Sequence, residues 1–261
     1  LRPDHSLPRT GQRTSGFHLD GGKHGRCPVV GNRSGGGRVH CTAARVTKSR
    51  TDFIVANTTV QRTELLPEIQ LHLASEDMPI WQMDAAAREA AGVPLPYWAF
   101  AWAGGQALAR YCLDQPVAVA GKDVLDIGAG SGLEAIAARM AGAASVEAVD
   151  TDPFAIAATG LNARLNGVDV QTTTDDLIGQ SGNWDLIMVG DLFFEQPLAV
   201  RLEKWLRGLL ATGVEVLIGD PQRTFMPRQG LEKITTYAVP TTSALEDSDL
   251  RNASVWRMVD Y

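Results

Sequence analysis

Two stretches of the 261-residue chain hold residues whose types and spacing suit chemistry. The first, residues 124–152, reads VLDIGAGSGLEAIAARMAGAASVEAVDTD. A short apolar run ends in Gly128, Gly130 and Gly132, an Ala-rich segment with helical spacing follows, and a second apolar run closes on Asp150. Glycines at the C-terminal end of a strand let backbone approach a ligand closely, and a helix opening behind them offers free N–H groups. An acid closing the next strand can take both hydroxyls of a ribose, so a nucleoside-type ligand is expected. The second stretch, residues 191–195, reads DLFFE and sets the carboxylates of Asp191 and Glu195 on either side of Phe193 and Phe194. A lysine with a pKa near ~10.4 must lose its proton before it can act as a nucleophile, and a carboxylate that orients the ammonium relays or tolerates that loss. Aromatic faces also suit a cationic tip, although two phenylalanines at a strand-to-helix turn are equally ordinary core.

Strand and helix patterns alternate from residue 123 to 219, which predicts a mostly parallel sheet covered on both faces. Strands are expected over 168–173, 184–189 and 214–219, helices over 153–166 and 198–210, and an antiparallel pair over 231–239 and 254–259. Asp126 lies on the first strand, and Asp150, Asp175 with Asp176, Asp191 and Asp220 stand at or just beyond the ends of the next four, so one rim carries all of the candidates. Capping of a following helix is the expected role of Asp152, Asp175 and Asp220. Upstream, Ile69, Leu71 and Leu73 alternate with polar residues as in a half-buried strand, which places His72 on the solvent side. A short helix is expected over 84–91. Gly104 and Gly105 precede another, whose Ala107, Leu108, Tyr111 and Cys112 share a face. Tyr97, Trp98, Phe100 and Trp102 crowd just before it, with Trp81 nearby, as core or as the wall of a cleft.

Charge is divided unevenly. Residues 1–50 carry ten Lys and Arg against two acids, and the remainder fourteen against twenty-eight, a net −14. Such a surface repels phosphate backbones and would attract a basic partner. Residues 1–50 hold nine glycines and no periodic apolar pattern, so they are expected to be a disordered basic tail. His24, Cys27, His40 and Cys41 fit no metal-ligand spacing, and no metal site is expected. Three widely spaced cysteines argue for a reducing compartment, and no apolar run reaches the roughly 18 residues of a membrane span. The tail lacks the amphipathic spacing of a mitochondrial targeting helix, which favours a bacterial cytoplasm over the mitochondrial matrix.

The glycine spacing is decisive. A dinucleotide fingerprint needs G-x-G-x-x-G, but Leu133 stands where its third glycine belongs, which speaks against a nicotinamide oxidoreductase. The G-x-G-x-G form resembles motif I of class I S-adenosylmethionine methyltransferases, with a Rossmann-like, mostly parallel seven-stranded sheet. More specifically, from about residue 66 to 258 the chain resembles the lysine methyltransferases of the electron transfer flavoprotein β-subunit. The resemblance rests on LLPEIQLHL, PYWAFAWAGGQALARYCLD, VLDIGAGSG, GDLFFE running on to LEKWL, VLIGDPQR and SVW.

It implies a catalytic domain over 51–261, with lid and substrate elements at 51–123 and the cofactor core at 124–261. Asp126, Gly128, Ala129, Gly130, Asp150 and Thr151 would hold S-adenosylmethionine, Trp102 and Gly104 would line its methionine end, and Asp176 would sit near the adenine. Asp191, Phe194 and Glu195 would form the catalytic turn. Phe194 stands where the family commonly has tyrosine, so no hydrogen-bonding role is assigned to it, and Ala103 stands where proline is usual. The implied partner is a protein, the flavoprotein β-subunit, met by a monomer without nucleic acid or membrane. A ribosomal protein is the nearest alternative, followed by a small molecule and by a catalytically silent cofactor binder. Base-methylating enzymes carry (D/N)PP(Y/F) at this strand end, and GDLFFE has no proline there.

Overall fold

A computed structural model of the chain describes residues 49–75, 86, 94–241 and 249–260. The expectations for residues 1–48, for Trp81 and, except at residue 86, for a helix over 84–91 lie outside the described residues. The first described helix begins inside the expected tail. Helix α1 (Arg50–Asn57) opens with a capping box, in which Ser49 Oγ accepts the Asp52 N–H at 3.1 Å and an Asp52 oxygen accepts the Ser49 N–H at 3.2 Å. Contacts group residues 46–261 into one unit.

Strands β1 (Thr59–Gln61) and β2 (Leu71–Leu73) form a small antiparallel ribbon. The expected half-buried alternation does not hold, because all three residues of β2 are buried. His72 is covered rather than solvent-facing. Its Nδ1 lies 3.1 Å from Thr58 Oγ1, and its main-chain N–H donates to Asn162 at 2.8 Å. Burial lowers the pKa of its imidazole. Asn166 continues the clasp, accepting the Gln70 N–H at 2.9 Å and donating to the Gln70 carbonyl at 2.7 Å.

The main sheet comprises β3 (Asp123–Ile127), β4 (Ser145–Val149), β5 (Gln171–Thr173), β6 (Leu186–Gly190), β7 (Glu215–Asp220), β8 (Leu231–Pro240) and β9 (Leu250–Met258). Its order is β5-β4-β3-β6-β7-β9-β8, with the first five parallel and β9 antiparallel to both neighbours. The seven-stranded class I architecture is therefore present. Strand β5 is three residues rather than the six expected, a short edge that pairs only with β4.

Successive residues point to opposite faces, and both faces are covered, which is why β6 reads as a continuous apolar run. Val124, Met188 and Leu217 join α2 (Ala103–Asp114) and α3 (Leu133–Met140) on one side. Leu125, Ile187, Val189 and Ile218 join Phe193 and the apolar face of α5 (Gln196–Leu210) on the other. Helix α4 (Pro153–Leu165) is capped by Asp152, whose carboxylate accepts the Phe154 N–H at 2.8 Å, as expected.

Gly104 and Gly105 lie inside α2 rather than before it. A Cβ on Gly104 would strike the Gly219 carbonyl and come within 2.6 Å of Asp191 Oδ2, so the helix start rests directly on the backbone of β7.

Candidate active site

The chain passes from β3 outward to β4 and β5, then returns to the other side of β3 for β6 and β7, so a crevice opens at the carboxyl ends where the order reverses. A cavity of about 620 Å³ occupies it. Following the strands across the rim, its wall carries Asp175 and Asp176 after β5, Asp150 and Thr151 after β4, Gly128 and Gly130 after β3, Asp191 and Phe194 after β6, and Arg223 after β7. Tyr97, Trp98 and Trp102 close the remaining side. Of the crowded aromatics, Trp98 is thus both buried and wall, and Phe100 is core.

The glycine turn is fixed by its neighbours. Gly128 and Ala129 donate their N–H groups to the Val149 carbonyl at 2.8 and 3.0 Å, and Gly128 (φ 73°) and Gly130 (φ 52°) adopt left-handed conformations that favour glycine. Asp150 ties the turn from the other side. One carboxylate oxygen accepts the Gly130 N–H at 3.0 Å and the other the Asp152 N–H at 2.9 Å. Burial raises its pKa, partly offset by these N–H donors. Asp176 accepts the Ile178 N–H at 3.1 Å and pairs with Arg201 at 2.7 Å.

Three of the residues assigned to the cofactor by resemblance stand behind the wall rather than on it. Asp126 is 1% exposed, accepts the Ala135 N–H at 3.1 Å through Oδ2, and has its pKa pushed up to about 7, first by burial. Ala129 spends its N–H on Val149, and Gly104 is buried under Asp191. Capping also differs from expectation. The Asp176 carboxylate, and not that of Asp175, accepts the turn N–H, and no helix follows Asp220, which accepts the Arg223 N–H at 2.6 Å instead.

Asp191 is the most constrained residue of the rim. It sits in the left-handed region (φ 56°), an uncommon conformation for a residue other than glycine. Its Oδ2 accepts the Gly105 N–H at 3.0 Å, and its Oδ1 accepts from Arg223 Nε at 2.9 Å and Nη2 at 2.7 Å. The Arg223 guanidinium also lies over the Trp102 ring, 5.7 Å from its centroid. The two phenylalanines part company. Phe193 is fully buried core, whereas Phe194 is 42% exposed and faces Tyr97 across the mouth, ring centroids 5.7 Å apart. Glu195 is exposed at the start of α5, outside the cavity wall.

Two residues of the site escaped the sequence reading. Arg223 is presented by a tight turn with Gln222 at φ 71°, held by Asp220, and the only sequence signal is a cation three residues past a strand-end acid. Glu134 is 7% exposed in the first turn of α3, and its carboxyl lies against Gly105 and Gly190, just behind Asp191. Burial first, then Asp126 and Asp191, raises its pKa well above the carboxylate range. Its place inside an Ala-rich helical run looks like a solvent-facing position.

Residues 105–191 match the PrmA family model, ribosomal protein L11 methyltransferase. An L11 methyltransferase of Synechococcus elongatus is 46% identical over 119 residues, covering 44% of this chain and 36% of that protein. Far more of the chain is similar to the electron transfer flavoprotein β-subunit lysine methyltransferases. The protein of Danio rerio is 41% identical over 214 residues, covering 79% of this chain and 82% of its own length. That of Homo sapiens is 38% identical over 212 residues, covering 78% and 80%. The chain belongs to this lysine methyltransferase family. It is an S-adenosylmethionine-dependent methyltransferase. The cavity of this methyltransferase fits that cofactor on its own chemistry. Asp150 offers a carboxylate where a ribose would lie, Gly128 and Gly130 keep side chains out of the way, and Leu177 and Ile178 supply apolar surface suited to a flat base.

Proposed function

We propose that this enzyme transfers methyl groups from S-adenosylmethionine to lysine side chains of the electron transfer flavoprotein β-subunit. The observation that carries this reading is the mouth of the cavity. Tyr97, Phe194 and Trp102 line a passage that leads to Asp191, a shape suited to a long unbranched side chain with a polar tip. The similarity beyond the cofactor core supports the same target, because it takes in the segments before residue 105 and after residue 191, where the L11 family model does not reach.

In this reading Asp150 takes the ribose hydroxyls, Thr151 stands beside it, and Asp176 borders the adenine. Gly128 and Gly130 give the cofactor room, and Trp102 covers its methionine end. Asp126, Ala129 and Gly104 act one layer back, by holding the turn and the helix start in place. The bound cofactor supplies an electrophilic methyl group on a sulfonium, which takes the lysine lone pair as the C–S electrons return to sulfur. The chain's own contribution is to aim the amine and exclude water. Phe194 and Tyr97 flank the alkyl stem, Asp191 orients the nitrogen, and the exposed carboxylate of Glu195 receives the departing proton or passes it to solvent. The described part of residues 51–123 is assigned to the substrate-facing side of the domain.

The net charge of −14 on residues 51–261 supports a protein rather than a nucleic-acid substrate, and we infer a monomer acting in a bacterial cytoplasm. None of the described helices is long and apolar enough to cross a membrane. Incubation with labelled S-adenosylmethionine and purified electron transfer flavoprotein should place label on β-subunit lysines, located by peptide mass spectrometry. Label on ribosomal protein L11 or on RNA, with none on the flavoprotein, would overturn the assignment.

A further inference from the structure

We propose that Arg223 favours the neutral, nucleophilic form of the acceptor lysine by matching the charge of the carboxylate that orients it. The inference rests on the lysine-methylation reading above. At neutral pH only about one free lysine in a thousand carries the lone pair that the reaction needs. An unpaired carboxylate at the bottom of the slot would draw the ammonium in and hold its proton more tightly, which works against transfer.

The site is not built that way. The guanidinium donates twice to Asp191 Oδ1, at 2.9 and 2.7 Å, while the Gly105 N–H holds Oδ2 at 3.0 Å. The negative charge of Asp191 is therefore already matched, and the carboxylate can orient an amine without stabilising an ammonium. The cation itself is fixed on every side. Its ring partner is Trp102, its main-chain N–H is tied to Asp220, and its side chain is only 19% exposed.

The slot therefore meets a matched pair, and the other charged groups, Asp150, Asp152, Asp175, Asp176 and Arg201, line the same cavity. Glu134, packed behind Asp191 from α3, is held toward its neutral form by burial. Asp220 on β7, whose pKa burial pushes up to about 6, is ionised at the pH of turnover and adds a carboxylate behind the pair. Glu195 stands outside the wall in solvent, and Tyr97 faces the slot with a phenol. A guanidinium does not surrender its proton, so Asp191 stays matched at every working pH and offers an incoming ammonium no net negative charge to hold it. The lysine proton leaves to bulk water past Glu195. The nitrogen lone pair then forms the new N–C bond while the C–S pair returns to sulfur.

The test is the pH dependence of turnover with purified electron transfer flavoprotein and saturating S-adenosylmethionine. The limb of kcat reports the bound lysine, and that of kcat/KM the free one. In the wild type the kcat limb is expected about one pH unit or more below the kcat/KM limb. Arg223→Gln should move the kcat limb up by about one unit, a loss of ~10-fold near pH 7.5 that shrinks toward wild-type rates near pH 9.5, and Arg223→Lys should restore most of the difference. A loss in Arg223→Gln that is the same at every pH would overturn the proposal, since a merely structural or cofactor-holding role predicts that result. If Arg223→Gln does not fold, Arg223→Met takes its place with the same expected shift, and a loss there that is the same at every pH would overturn the proposal. A wild type that methylates no flavoprotein lysine would instead sink the functional reading itself.

Discussion

Asp150 and Asp191 are both carboxylates just past strand ends on the wall of one cavity, yet they are held in opposite ways. Asp150 is bound by main-chain N–H groups from residues 20 and 2 positions away, Gly130 and Asp152. Asp191 is bound by Gly105, 86 residues distant, and by the side chain of Arg223, 32 residues distant. The cofactor end is thus assembled within one strand–turn–helix–strand unit and needs little beyond that unit to take shape. The acceptor end exists only once α2, β6 and the turn after β7 have come together. A site divided in this way lets the acceptor chemistry change while the cofactor grip stays constant, which suits a fold that hosts many methyl acceptors.

If the two ends are separable, substitutions at each should fail differently. The largest effect is expected from Asp191→Ala, which takes a carboxylate away from Arg223 and the guide away from the lysine. Turnover on the flavoprotein should fall by about 1,000-fold, while the affinity for S-adenosylhomocysteine stays within about 5-fold. Asp150→Ala should do the reverse. By calorimetry the affinity for S-adenosylhomocysteine should drop about 100-fold, with the loss of turnover recovered in part at high cofactor concentration. Equal loss of cofactor affinity in both variants would show that the two ends are a single unit.

The same division explains what could be read from the sequence. The succession of strands and helices, the glycine turn, the place of Asp150 and the Asp152 cap follow from periodicity and short-range spacing, and the structure has them where expected. Misreadings gathered where distant segments meet. His72 read as solvent-facing because alternation on one strand carries no information about Thr58 and Asn162, which cover it. Asp126, given a cofactor role by resemblance, lies inside the strand end, and its carboxylate accepts from Ala135 in the layer beneath α3. Arg223 and Glu134 gave no usable signal, since a cation in a turn and an acid on a helix are ordinarily surface residues. What makes them part of the site is the close approach of α2 to β6 and β7, and that approach depends on glycines whose partners lie far away in the chain.

That approach can be tested directly at the acceptor end. Gly104→Ala places a methyl group against the Gly219 carbonyl and within 2.6 Å of Asp191 Oδ2, with backbone rather than a movable side chain in the way. A destabilisation of about 2 kcal/mol is expected in urea melts, as for overpacking of a tight core. Because the shift carries Gly105 away from Asp191, turnover should fall more than cofactor affinity. Unchanged stability and unchanged turnover would mean that the helix start yields freely and does not set the position of Asp191.

The counterpart at the cofactor end is smaller and depends on pH. Asp126 has a folded-state pKa of about 7, and the ordinary value of an unfolded aspartate is near ~3.9. Between those values the folded protein holds a proton at Asp126 that the unfolded chain has released, so stability falls as pH rises from about 4 toward 7 and is level above that. Asparagine keeps an acceptor for the Ala135 N–H at 3.1 Å and cannot ionise. Asp126→Asn should therefore gain on the wild type by about 2 kcal/mol between pH 5 and pH 8 in parallel melts. Glu134 and Asp220 are shifted in the same direction, so the wild-type slope should lessen without vanishing. Cofactor affinity at pH 8 should stay within about 3-fold of wild type, because Asp126 supports the turn from behind while Asp150 meets the ligand. A loss as large as that of Asp150→Ala would move Asp126 into the binding wall and make the cofactor end as dependent on its buried layer as the acceptor end is.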